Sequence, residues 1–117
     1  MIKVQLIGDS LLNGVGVGSQ TASGPLCVCR SPEEINEKFQ PGDVLVVPYT
    51  TNDILSVMRQ AAAIITEEPG SNSHAATVGL TLDKPVVVGA TGATRLLQDG
   101  MQVTVDCTRG AICKLPQ

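Results

Sequence analysis

Apolar and polar positions change period along this chain. Residues 2–7 (Ile-Lys-Val-Gln-Leu-Ile) alternate, the period of a half-buried strand. Gly14, Gly16 and Gly18 then alternate with Val15 and Val17. No Gly-Lys-Ser/Thr follows, so this segment reads as a twisted or bulged strand rather than a phosphate-cradling loop. Residues 25–30 form a further apolar strand, and the turn-rich stretch 19–24 suggests that it makes a hairpin with the glycine-rich one. Short continuous apolar runs at 43–47, 62–66 and 85–88 have the length of buried strands. Helices fit between them. Ser31 caps a helix reaching Phe39, with Pro32 at its first position and Glu34 completing a capping box. Thr51 or Asn52 caps a helix over 53–60, Ser73 caps one reaching Leu82, and Thr91 opens a short one ending near Gln98. Two strands follow, 102–106 and 111–114, joined by a tight turn at Thr108-Arg109-Gly110.

Strand–helix alternation predicts a parallel sheet covered by helices, and the strand pairs at the two ends predict an added antiparallel sheet. The class is α/β in one compact domain over residues 1–117, without linker, repeat or low-complexity stretch. Composition refines this. Hydrophobic residues make up 43% of the chain, enough for one buried core. Phe39 and Tyr49 are its two aromatics, so Val, Ile, Leu and Ala must build that core. A net charge of −3 with so few rings argues against nucleic-acid binding. The longest apolar run, 61–65, is far too short to span a membrane, and the first residues do not read as a signal peptide. High hydrophobicity and small net charge argue against disorder.

Cys27, Cys29, Cys107 and Cys113 complete the inventory of reactive groups. Cys27 and Cys29 share one strand face, where a disulfide would be strained. With Cys107, Cys113 and His74 they make no recognised zinc spacing. They read as small buried hydrophobes of a reducing compartment, and a cytoplasmic location is the expectation.

His74 is the sole histidine. It follows a buried strand, a Pro/Gly loop at 67–72 and the cap Ser73, which places it in the first turn of a helix. Free amides and the positive end of the helix dipole favour an anion there. A neutral imidazole at that point can attack a phosphoryl group. The local argument leaves two readings of His74 open, a surface residue and a phosphoryl acceptor. Thr66, Gly70, Ser71, Asn72, Ser73 and Ala75 are the candidate anion-binding positions. As a turn and a cap, the same residues explain themselves without a ligand. Arg95 and Arg109 are candidate further cations that solvation alone also explains. Glu67 and Glu68 are expected beside a bound phosphate, which they would repel.

The segment Thr66-Glu67-Glu68-Pro69-Gly70-Ser71-Asn72-Ser73-His74-Ala75-Ala76 resembles the phosphohistidine motif of the phosphoenolpyruvate-utilising enzymes. Upstream, Gly42 to Pro48, Met58 and 61–66 continue the resemblance. Downstream it includes Lys84 to Gly89, Asp99-Gly100, Val103 to Asp106 and Gly110. The match is narrower still to the extra C-terminal domain of pyruvate kinases from Bacillus and related bacteria. It rests there on Thr66-Glu67-Glu68, Ser73 to Ala76, Val78-Gly79-Leu80 and the stretch from Gly14 to Ser19.

This resemblance implies a swivelling β/β/α domain with one parallel sheet, one antiparallel sheet and a layer of helices. It implies an accessory part of a longer pyruvate kinase, a homotetramer that transfers phosphate from phosphoenolpyruvate to ADP. Such a domain needs no cofactor of its own, and magnesium and potassium belong elsewhere in the parent. Its partners would be the rest of the parent chain and a phosphate or sulfate anion. The alternative is a carrier phosphorylated on His74 in a phosphoenolpyruvate synthase or dikinase. A third reading is a module that holds a phosphorylated effector at the helix start. Four departures from the carrier motif bear on the choice. Pro69 replaces the first glycine of a pair, and Asn72 a threonine. Thr77 stands where an aliphatic residue is common, and Leu80 where an arginine would hold phosphate.

Overall fold

The structure is a computed structural model and describes residues 10–115. The strand expected at 2–7 lies outside the described residues. Eight strands occur in the order β1-β8-β7-β3-β4-β5-β6-β2. The parallel part uses the three apolar runs: β4 (Val44–Val47), β5 (Ala63–Thr66) and β6 (Val86–Val88), joined on one side by the end of β3 (Thr21–Val28). Every residue of β4, β5 and β6 is buried, as expected for strands covered on both faces. The antiparallel part consists of β1 (Ser10–Asn13), β8 (Ala111–Lys114), β7 (Gln102–Asp106) and the first half of β3. β3 therefore belongs to both sheets. Thr21 to Pro25 pair with β7, and Leu26 to Val28 pair with β4.

Side-chain alternation on these strands separates two cores. Leu26, Val28, Val44, Val46, Ile65 and Val87 face Val103, Val105 and Ile112 of the antiparallel sheet. Their neighbours Cys27, Cys29, Leu45, Val47, Ile64, Val86 and Val88 face the helices. There they meet Ile35 of α1 (Pro32–Lys38), Met58 of α2 (Leu55–Gln60), and Ala75 and Ala76 of α3 (His74–Leu82). The architecture is the expected three-layer β/β/α domain.

The hairpin expected between the glycine-rich segment and β3 does not form. β2 (Val15–Val17) lies at the far end of the sheet, antiparallel to β6, with Val15 opposite Val88. The reason is edge occupancy. Both edges of β3 are taken by β7 and β4, whereas β6 has a free edge. β1 and β2 are separated by Gly14 alone, so one bent segment closes both sheets. It passes so close to Cys107 that a Cβ on Gly16 would lie 1.7 Å from the Cys107 carbonyl oxygen. The hairpin of β7 and β8 forms as expected.

Helix ends follow the capping residues with local adjustments. Ser31 caps α1, its hydroxyl accepting from the Glu34 amide at 3.2 Å. The Glu34 carboxylate accepts from the Arg30 amide, one residue before the cap. A 3-10 turn, Asn52–Ile54, leads into α2, and Thr51 at its start makes no side-chain cap bond. α4 (Ala93–Leu96) starts two residues later than Thr91, because Gly92, with φ 79°, supplies the left-handed turn before it.

Candidate functional site

The carboxyl ends of β4, β5 and β6 point the same way, and the loops leaving them form one polar surface. In open parallel sheets such ends are where ligands gather. β5 ends at Thr66, fully buried, whose hydroxyl donates to the Glu68 carbonyl at 3.2 Å. That bond holds the first bend of the loop and turns the Thr66 hydroxyl inward. Gly70, at φ 116°, makes the second bend, and the Ser73 amide donates to its carbonyl at 3.2 Å. Ser73 then caps α3, its hydroxyl accepting from the Ala76 amide at 3.3 Å. No acceptor among the described residues meets the His74 or Ala75 amide. Ser71 and Asn72 are exposed on the loop.

His74 is the first residue of α3, and both of its ring nitrogens are engaged. Nδ1 lies 2.7 Å from the Thr50 hydroxyl, and Nε2 lies 2.7 Å from Asn52 Oδ1. With the Asn52 carbonyl accepting, Nε2 carries a proton, and Nδ1 and the Thr50 hydroxyl share the second hydrogen bond. Both partners come from the loop after β4, and Thr50 is buried. Sequence reasoning assigned Asn52 to a helix cap and gave Thr50 no role. The one available signal was their place just after a buried parallel strand.

The remaining candidates are placed elsewhere. The expected repulsion by Glu67 is not supported by its orientation. Its carboxylate accepts from the amide and hydroxyl of Thr94 at 2.9 and 2.8 Å, anchoring the start of α4. Thr94, buried, also accepts at its carbonyl from Arg30 Nη2 at 2.5 Å. Ends of β3 and β5 and the start of α4 are thereby tied together. Glu68 and Arg95 are exposed. Arg109 pairs with Asp106 at 2.9 Å beside the β7–β8 turn, and holds that carboxyl below the usual range. Leu80 is 62% exposed on α3.

The cysteines are free and buried. Cys27 and Cys29 Sγ atoms lie 3.5 Å apart on the helix-facing side of β3. Burial first, and the Cys29 contact second, push the Cys27 thiol up to about 12. Among the described residues no three His, Cys, Asp or Glu side chains converge on a point where a metal would sit. No helix there is long and apolar enough to cross a membrane.

The family described as PEP-utilising enzyme, mobile domain, matches residues 39–110, which include His74 and both partners of its ring. A pyruvate kinase of Bacillus licheniformis is 42% identical over 114 residues, 97% of this chain and 20% of that protein. A probable phosphoenolpyruvate synthase of Archaeoglobus fulgidus is 46% identical over 105 residues, 90% of this chain and 14% of that protein. Among solved structures, aconitase X of Thermococcus kodakaraensis in its holo-form superposes with a TM-score of 0.68 at 25% identity, over 90% of this chain and 98% of that one. The chain spans about a fifth of the length of the pyruvate kinases it matches. It belongs to the mobile-domain family of PEP-utilising enzymes, and matches the C-terminal domain of Bacillus-type pyruvate kinases.

Proposed function

We propose that this chain is the C-terminal accessory domain of a pyruvate kinase and performs no catalysis of its own. The observation that carries this reading is the match to pyruvate kinases along 97% of the chain. The parent would transfer phosphate from phosphoenolpyruvate to ADP in the cytoplasm, as a homotetramer. This domain would contribute stability, subunit contacts or effector response. In this reading Mg²⁺ and K⁺ are held by the rest of the parent.

The state of His74 supports an accessory role over a carrier role. A phosphoryl acceptor must present a nitrogen lone pair to the donor. Here Nδ1 is bonded to the Thr50 hydroxyl and Nε2 to Asn52 Oδ1. Acceptance of phosphate would first require breaking one of these bonds. Leu80 supplies no cation for the product. An anion such as phosphate or sulfate would meet the His74 and Ala75 amides, with Gly70, Ser71, Asn72 and Ser73 around it and Thr66 beneath.

Two measurements test the reading. The genomic sequence upstream should encode a pyruvate kinase barrel, and its absence would remove the assignment. The chain should also take up no label from phosphoenolpyruvate labelled in its phosphate and a phosphoenolpyruvate synthase at alkaline pH. Label on the wild type that disappears in His74→Ala would establish the carrier instead.

A further inference from the structure

The end of β3 presents two thiols on one face. Cys27 and Cys29 are two apart on extended chain, so both side chains lie on the helix-facing side. Cys29, just past the strand end, is held to β4 by its amide, which donates to the Val46 carbonyl at 2.9 Å. The two Sγ atoms stand 3.5 Å apart, and neither is in a disulfide. Their surroundings are apolar, with Ile35, Leu45, Val47 and Met58 in the same buried cluster. A cleft of about 180 Å³ between the start of α1 and the loop after β4 has Cys29, Ile35, Val47 and Ile54 in its lining. The polar surface around His74 uses neither thiol.

Spacing and surroundings select among thiol chemistries. A disulfide requires sulfurs about 2.05 Å apart, which neighbours on one strand face reach only with strain. Two thiolates on a tetrahedral zinc stand about 3.8 Å apart, but zinc takes four ligands. Among the described residues no three His, Cys, Asp or Glu side chains converge to supply them. A linear two-coordinate cation would force the sulfurs to about 4.6 Å at similar bond lengths. Any cation must also displace both thiol protons. Burial is the largest cause that raises both thiols, that of Cys27 to about 12, so they stay protonated at neutral pH. An uncharged centre with replaceable hydroxyls and bond angles near a right angle avoids both obstacles. It holds two sulfurs closer than tetrahedral zinc does and needs no thiolate beforehand. Trivalent arsenic has these properties as arsenous acid.

We propose that Cys27 and Cys29 form a chelating site for trivalent arsenic. Two arsenic–oxygen bonds break and two arsenic–sulfur bonds form. Each thiol proton leaves with a hydroxide as water, and the third hydroxyl stays on arsenic. No electron is transferred and no net proton is released, which suits neutral thiols in an apolar site. Arsenous acid is small and uncharged, so movement of the Ile35 and Ile54 side chains admits it from the cleft. A bulky anionic thiol reagent would have to open the whole layer. The site does not depend on the function proposed above.

The test is a titration of the reduced 117-residue chain with sodium arsenite at pH 7, followed by native mass spectrometry and amide chemical shifts. One arsenic per chain is expected, with shift changes centred on residues 27–30 and on Ile35, Val47 and Met58. Cys27→Ala and Cys29→Ala, checked for native circular dichroism, should each bind about a hundredfold or more weakly, because the second bond is no longer intramolecular. Cys107→Ala and Cys113→Ala should bind as the wild type does. No bound arsenic, shifts centred on Cys107 or Cys113, or undiminished binding by Cys27→Ala or Cys29→Ala overturns the proposal. The shifts are read on the wild type, so the test stands even where a variant fails to fold. The readout is binding to this chain, so its failure leaves the pyruvate kinase assignment intact, and a missing upstream barrel leaves the binding result intact.

Discussion

Thr50 is a small side chain with a large local effect. It is buried, and its hydroxyl is the partner of His74 Nδ1. Thr50→Val keeps the shape and leaves that nitrogen without its partner, which should cost about 1–2 kcal/mol in urea unfolding. Unchanged stability would show that the bond contributes nothing to the fold. Gly16 is constrained by space. Gly16→Ala drives a methyl group into the Cys107 carbonyl, 1.7 Å away, and should cost about 3 kcal/mol or more. At this scale the sequence revealed Ser73 and His74, because a cap and the residue after it are set by adjacent positions. It did not reveal Thr50 or Asn52 as partners. They meet His74 only after β4 and β5 pair with Val47 opposite Thr66.

Single elements are held by a few polar ties that their own sequences do not specify. α4 has one turn and cannot hold itself. Glu67→Gln removes the charge that accepts from Thr94 and should destabilise the protein by about 1 kcal/mol. Thermal unfolding of the two proteins measures this. Lys38, in the last turn of α1, pairs with Asp99 at 2.6 Å and also donates to the Val28 carbonyl. Burial alone would raise the Asp99 carboxyl. The Lys38 ammonium and the Val28 amide outweigh it and hold the group below its usual range. A carboxyl depressed in the folded state stabilises above its unfolded pKa. That contribution is lost as pH falls from about 4 through the folded value. Stability should fall over that window in the wild type and more shallowly in Asp99→Asn. Parallel profiles would remove the tie. Element existence was legible because apolar runs and caps are local signals. The position of β2 was not, since a three-residue Val-Gly-Val strand suits either the edge of β3 or that of β6.

Over the whole molecule β3 is the common member. Its residues 21–25 complete the antiparallel sheet and 26–28 the parallel one, so neither core persists without it. Unfolding should therefore be a single transition. The buried cysteines report on it, with Cys27, Cys29 and Cys113 in or beside the sheets and Cys107 in the inter-sheet core. None of the four should react with a thiol reagent in the native protein at pH 8, and all four should react after denaturation. Reaction of one or two in the native state would show that one layer opens by itself.

By itself the sequence determined the layers, the starts of α1 and α3, and the family. Apolar period, capping residues and the motif around His74 are short-range patterns that survive without coordinates. Tertiary structure alone decided which strands are neighbours, and hence which residues 22 or 24 positions from His74 hold its ring. Pairing between strands is settled by edges and volume across the whole sheet. The chemistry of a ring nitrogen is settled by the atom that pairing brings to it.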